Sequence, residues 1–224
     1  MRGRFITFEG GEGAGKSTQI ERLRRRVEAL GHRVRVTREP GGSEKAERIR
    51  EIILSGRAKP YGSAAEALLF YAARLDHLQR VIRPALDQGI HVFCDRFADS
   101  TRAYQGAAGQ VDRTLLSTLD RVIVDDTQPD LTLILDLPAE IGLARARRRR
   151  GESTAAADRF EAEDLPFHER LREAFREIAR DNPGRCVMID ATPAAEDVER
   201  AVWAALRTRL PDLTREAEAA AHVA

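Results

Sequence analysis

Cysteine is scarce in this chain: 224 residues carry only two, Cys94 and Cys186. Each lies in an apolar, strand-like stretch, HVFCD and RCVMID, which argues against a disulfide framework and for buried thiols in a reducing compartment. Long apolar runs are missing too. No stretch approaches the ~20 residues that cross a bilayer, and no signal-peptide pattern precedes the first strand, so a soluble, cytoplasmic protein is expected. A charge of one sign is also lacking, with 37 Lys plus Arg against 36 Asp plus Glu. Such a balance is not that of a nucleic-acid binder, and any basic function has to be local. Neither an internal repeat nor a linker divides the chain. Its length suits one α/β domain over residues 1–210, followed by an Ala/Glu-rich tail at 211–224 that is expected to fray.

What the chain does have is concentrated at residues 10–17. The stretch GGEGAGKS fits G-x-x-x-x-G-K-[ST] with Gly10, Gly15, Lys16 and Ser17 in the required places. Gly10, Gly11, Gly13 and Gly15 lack the Cβ atoms that would stop the backbone from turning its N–H groups inward on an anion, and Lys16 adds a mobile positive charge. The flanks agree, because Phe5, Ile6, Thr7 and Phe8 read as a buried strand and Thr18 to Leu30 as a helix starting beneath the phosphates. A P-loop of this kind predicts that the segment from Gly10 through Glu12, Ala14 and Ser17 to Thr18 binds a nucleoside triphosphate. It leaves the phosphoryl acceptor open.

Downstream, strands and helices alternate. Strands are expected at Arg33 to Thr37, Ile90 to Cys94, Leu131 to Leu137 and Cys186 to Ile189. Between them lie a helix containing Ile49, Ile52 and Ile53, a long helix capped by Ser63 and interrupted by Pro84, and helices at Thr114 to Asp125 and Ala139 to Arg149. Leu165, His168, Leu171, Phe175 and Ile178 mark one further apolar helix face, and Val198, Val202 and Leu206 the last. The pattern predicts a five-stranded parallel sheet wrapped by helices on both faces. Asp95 and Arg96 then fall at a strand's carboxyl end, where such sheets bind ligands. The arginine run at 145–150 and the small, polar residues after it suggest a mobile loop at about 145–160.

The segments GGEGAGKST, TREPGG, LLFYAAR, CDRFADSTRAYQG, PDLTLILD and DRFE, in this order and spacing, closely resemble bacterial thymidylate kinase from about residue 4 to residue 206. The resemblance implies a P-loop nucleoside monophosphate kinase fold. It also implies transfer of the γ-phosphate of Mg-ATP to dTMP, giving dTDP in dTTP biosynthesis, by a homodimer whose interface would come from the helices at 63–83 and 112–124. Carried over by position, Phe70 would stack on thymine, Arg74 would reach a base oxygen, and Thr101 and Gln105 would bond the base edge. Tyr104 would crowd the ribose 2′ position, with Ser100 in the same segment, while Glu12 would reach the sugar 3′ side. Arg96 would hold the acceptor phosphate beside Asp95, and Arg50 and Glu39 join them on the acceptor side. Ser17 and Asp95 would serve the Mg2+ carried by ATP. Gly13 and Ala14 stand where some members carry a P-loop arginine, which matches the subtype with its catalytic basic residue in the lid: Arg159, with Arg149 and Arg150 as rivals. Adenine would sit near the arginine run and Ala191, Thr192 and Pro193.

Other readings of the same residues stay open at this stage. On composition alone Phe70 is a core aromatic, Arg50 a solvated helix residue, and Arg145, Arg147 and Arg148 a helix end whose charge complements the helix dipole. A deoxynucleoside kinase would instead phosphorylate an uncharged 5′-hydroxyl and would need a base, Glu39 or Asp95. A nucleotide switch would leave the acceptor motifs unexplained.

Overall fold

The computed structural model describes residues 2–151 and 159–217, without the side chains of Arg150 and Arg159. Five parallel strands, β1 (Phe5–Glu9), β2 (Val34–Arg38), β3 (His91–Asp95), β4 (Leu131–Asp136) and β5 (Cys186–Asp190), pair in the order β2-β3-β1-β4-β5. Every residue of β1 is buried, as its continuous apolar run predicts for a central strand covered on both faces. The two cysteines are free and buried, as expected.

On one face, Ile20, Leu23 and Val27 of α1 (Lys16–Glu28) pack with Val198, Val202 and Leu206 of α9 (Ala195–Arg209) against Ile6, Phe8 and Leu133 of the sheet. The other face is covered by α2 (Glu44–Leu54), α3 (Gly62–His77), α4 (Arg83–Asp87), the short α5 (Ala98–Thr101), α6 (Arg113–Leu119), α7 (Ala139–Gly151) and α8 (Leu165–Asp181). Within α8, Leu171 and Phe175 meet Ile134 of β4. Strand order reverses about β1, which opens a crevice at the carboxyl ends of β1 and β3. The β1–β3 register sets Phe8 against Asp95, so the P-loop and the Asp95-Arg96 pair leave the sheet side by side. Among the described residues, no helix is long and apolar enough to cross a membrane.

Three local expectations need correction. Ser63 caps nothing: the helix begins at Gly62 without a side-chain cap, and Ser63 lies inside its first turn. Pro84 does not interrupt the segment, because a π-helical turn at Leu78–Ile82 widens the backbone just before it and carries the helix on to Asp87. The chain beyond Pro211 is also ordered for a further turn. Leu213 is fully buried beside Leu210 in the α1–α9 core, and Ala217 N–H donates to Leu30 O at 2.8 Å; residues 218–224 lie outside the described set.

Candidate active site

The P-loop closes as its glycines require. At Gly10 the backbone has φ 129°, and a Cβ would stand 2.4 Å from Leu135 O. At Gly13 φ is 66°, and a Cβ would lie 2.0 Å from the carbonyl of Gly142 in α7. No side chain of any kind fits at 13 while α7 stays where it is. Helix α1 starts at Lys16, two residues earlier than its apolar pattern indicated, so its free N–H groups open directly onto the loop. Lys16 is buried, with Nζ donating to Gly10 O at 3.2 Å and Gly11 O at 2.9 Å. Burial lowers its pKa, and the nearby Arg96 adds to that effect.

A cavity of about 350 Å³ extends from the loop across the carboxyl ends of β1 and β3. The whole acceptor set read from the sequence lines it, from Glu12 and Glu39 through Arg50, Phe70 and Arg74 to Gln105. Arg96 governs its floor. Held in the left-handed region at φ 69°, it donates from Nη1 to Gly10 O at 3.0 Å and Ser100 Oγ at 3.3 Å, and from Nη2 to Glu12 Oε1 at 2.7 Å. Tyr104 lies beneath the guanidinium, 4.9 Å from ring centre to Cζ, and its hydroxyl donates to the same Glu12 oxygen at 2.7 Å. Burial alone would raise the Glu12 pKa; the charges of Arg96 and Lys16 overcome it and hold the carboxyl down at about 2. Next to this group, Ser17 Oγ donates to Asp95 Oδ2 at 2.8 Å.

Arg74 organises the far end. Only 1% exposed, it donates from Nε to Glu39 Oε2 at 2.8 Å and from Nη2 to Thr101 Oγ1 at 2.9 Å. Glu39 in turn lies 3.1 Å from His77 Nδ1, and His77 Nε2 lies 2.7 Å from Thr37 Oγ1, so a buried chain of polar groups fixes the arginine from behind. Arg74 and Gln105 both line the cavity, and among the described residues their buried atoms Arg74 Nη1 and Gln105 Oε1 have no hydrogen-bond partner. Phe70 is partly buried and belongs to both settings weighed for it, packing against the α8 core and lining the cavity 6.3 Å from Phe160. Arg50 donates to Pro40 O at 2.7 Å, which draws it inward from the solvated helix position.

Residues 8–202 match the family model described as thymidylate kinase. The chain belongs to the thymidylate kinase family. It is 60% identical over 209 residues to a thymidylate kinase of Bradyrhizobium diazoefficiens, covering 93% of this chain and 91% of that one. To a thymidylate kinase of Rhodopseudomonas palustris it is 57% identical over 216 residues, covering 96% and 93%. The crystal structure of the thymidylate kinase from Ehrlichia chaffeensis superposes with a TM-score of 0.73 at 32% identity, over 92% of this chain and 100% of that one.

Around this thymidylate kinase site lie residues that sequence reasoning passed over. Arg38, Pro40, Leu54, Phe97, Phe160 and Glu161 also line the cavity. Arg38 and Pro40 fall within TREPGG and Phe160 within DRFE, so the motifs contained them although only their neighbours were singled out. In the arginine run, Arg145 is not a solvated helix end. It donates to Ala191 O at 2.8 Å and Thr192 O at 2.9 Å and so ties α7 to the loop after β5. Arg147 and Arg148 are exposed. Arg149 lines the cavity with Nη2 3.4 Å from Glu161 Oε1, whereas the side chains of Arg150 and Arg159 lie outside the described residues.

Among the described residues, no group of three or more His, Cys, Asp or Glu forms a metal cage. A magnesium ion carried by a triphosphate needs none, since it keeps most of its waters and takes one or two protein oxygens. The Ser17 hydroxyl and Asp95 carboxylate are donors of that type.

Proposed function

We infer that the chain transfers the γ-phosphoryl group of ATP to dTMP, yielding dTDP for dTTP biosynthesis. The observation that carries this reading is the pair of unpartnered buried atoms at the base end, Arg74 Nη1 and Gln105 Oε1. A guanidinium only donates, so Arg74 favours a carbonyl at pyrimidine position 4, as in thymine, over the amino group of cytosine. Gln105 can accept from the adjacent ring N–H. An unpaired buried group costs about 1–3 kcal/mol, so a base that satisfies both recovers that loss.

The distances support a role for each residue. Arg96, already bonded to Glu12 and Ser100, receives the acceptor phosphate as a planar fork. Tyr104, held by Glu12, walls the sugar. Lys16 exchanges the Gly10 and Gly11 carbonyls for phosphate oxygens of ATP. Ser17 and Asp95 would hold the magnesium ion, which supplies charge neutralisation when bound. No protein base is needed, because a monophosphate with a second pKa of about 6 is mostly dianionic near neutral pH. Catalysis is then positioning and charge stabilisation. The remaining cation is assigned to the lid, with Arg159 first and Arg149, which lines the cavity, as its rival. Changing Arg159 to Ala should lower kcat far more than dTMP affinity, and a loss confined to affinity would move the role elsewhere. Arg145, on the carbonyls of Ala191 and Thr192, marks the adenine side.

The competing 5′-hydroxyl acceptor would need a base; Glu39 is held at both oxygens by Arg74 and His77, and Asp95 is assigned to the magnesium ion beside Ser17. The deciding experiment is coupled phosphoryl transfer from Mg-ATP to dTMP, dUMP, UMP, AMP, GMP and thymidine. Strong preference for dTMP is expected. Phosphorylation of thymidine but not dTMP would overturn the acceptor site while leaving the P-loop intact.

A cytoplasmic homodimer completes the proposal. Tyr61, Leu68 and Leu75 recur every seventh residue and are 78%, 49% and 38% exposed, and Val122 beyond α6 is 69% exposed. These positions form apolar area suited to a second copy. Sedimentation equilibrium should return twice the chain mass, and a monomer at micromolar concentration would refute the pairing.

A further inference from the structure

The last residue of β1, Glu9, is a carboxylate that water does not reach, with 0% exposure. Its Oε1 accepts from the Phe97 backbone N–H at 2.8 Å and its Oε2 from Ser100 Oγ at 2.5 Å. Both donors belong to the turn that follows Arg96. The Ser100 hydroxyl is also where the Arg96 guanidinium rests, at 3.3 Å from Nη1. Arg96 itself occupies the left-handed region at φ 69°, a conformation a non-glycine residue keeps only when its surroundings impose it.

The arrangement is costly. Burial, with the charge of Asp99 adding to it, pushes the Glu9 pKa up to about 7, while Ser100, Arg96 and the Phe97 N–H act in the other direction. Asp99 is neutralised separately, by Arg185 at 2.5 and 2.9 Å and Arg102 at 2.9 Å. An apolar group would fill the same volume without a desolvation penalty. What an apolar group would lack is two acceptors aimed at one turn.

We propose that Glu9 is a positioning residue for the acceptor phosphate, holding the Phe97–Ser100 turn so that the guanidinium of Arg96 stays presented to the cavity. Glu9 does not line that cavity and reaches the phosphate position through Ser100 and Arg96. The inference rests on the reading that Arg96 binds the acceptor phosphate.

The test is Glu9→Gln in the full chain, with calorimetric affinities for dTMP, thymidine and ATP. Glutamine keeps the volume but offers one acceptor where two donors converge. Affinity for dTMP should fall about tenfold, the scale of one hydrogen bond to a charged group, while thymidine and ATP change less than twofold. Unchanged dTMP affinity, or a parallel loss for all three ligands, would overturn the proposal. If Glu9→Gln fails to fold, Glu9→Asp decides, since it keeps the charge but withdraws both acceptors from the Phe97–Ser100 turn and should give the same phosphate-specific loss. Arg96→Ala measured alongside separates the two levels. If it spares dTMP affinity, the phosphate reading itself fails; if it weakens dTMP where Glu9→Gln does not, only the positioning role fails.

Discussion

Replacing Lys16 with Met is expected to lower kcat at least about a thousandfold, the scale attached to losing a preorganised cation at a transferring phosphoryl group. The variant should still fold. Methionine is close to lysine in length and carries no charge, so it fills the buried site without the desolvation that already lowers the Lys16 pKa. Methionine gives up the two bonds from the ammonium group to the Gly10 and Gly11 carbonyls, but the close approach of the loop backbone to Leu135 and Gly142 does not depend on them. Thermal unfolding and kcat at saturating ATP and dTMP, measured together, separate chemistry from folding. A variant that folds normally and retains the full wild-type rate would show that Lys16 contributes no transition-state charge.

Arg96→Ala should cost about 2–5 kcal/mol in kcat/KM for dTMP, or roughly thirtyfold to a few thousandfold, because it strips the acceptor phosphate of its fork and leaves the half-buried Glu12 without its arginine partner. Its acid stability should change in a way that simple truncation elsewhere would not. In the wild type the folded Glu12 pKa is about 2, below the ordinary 4.5. The paired carboxylate therefore contributes stability that is complete above pH ~4.5 and drains away as pH falls toward ~2. Without Arg96 the largest of the charges opposing burial is gone while Lys16 and the Tyr104 hydroxyl still act, so the carboxyl titrates closer to its unfolded value. Unfolding temperatures of the unliganded protein at pH 5 and pH 3 should fall less in the variant than in the wild type. Parallel curves would mean that Arg96 is not what holds Glu12 down.

The features legible in the sequence were those governed by local spacing. Continuous apolar runs marked the strands, the glycine pattern marked the phosphate loop, and Asp95-Arg96 was found because a strand's carboxyl end is a favoured place for ligands. Contacts set by register or by packing against a remote loop were not legible. Glu9 was not singled out in the sequence, since its partners at 97 and 100 come close only through β1–β3 pairing. Arg145 looked solvated because the carbonyls it serves lie in the loop after β5. The π turn before Pro84 escaped notice for a different reason: proline at that position reads as a break, and only the packed helix shows how the backbone absorbs it.

The glycine-to-glycine contact between the phosphate loop and α7 also limits how such an enzyme can change over time. Gly13 admits no Cβ against Gly142 O, and Gly142 admits none against Glu12 O, at 2.3 Å. A lineage starting from this protein cannot gain a loop arginine at 13 by a single codon change without first displacing α7. If the extra cation comes from beyond α7, as proposed, the two ways of supplying it are separated by a valley in sequence space. Crossing it requires the helix to retreat before the new side chain has anywhere to go.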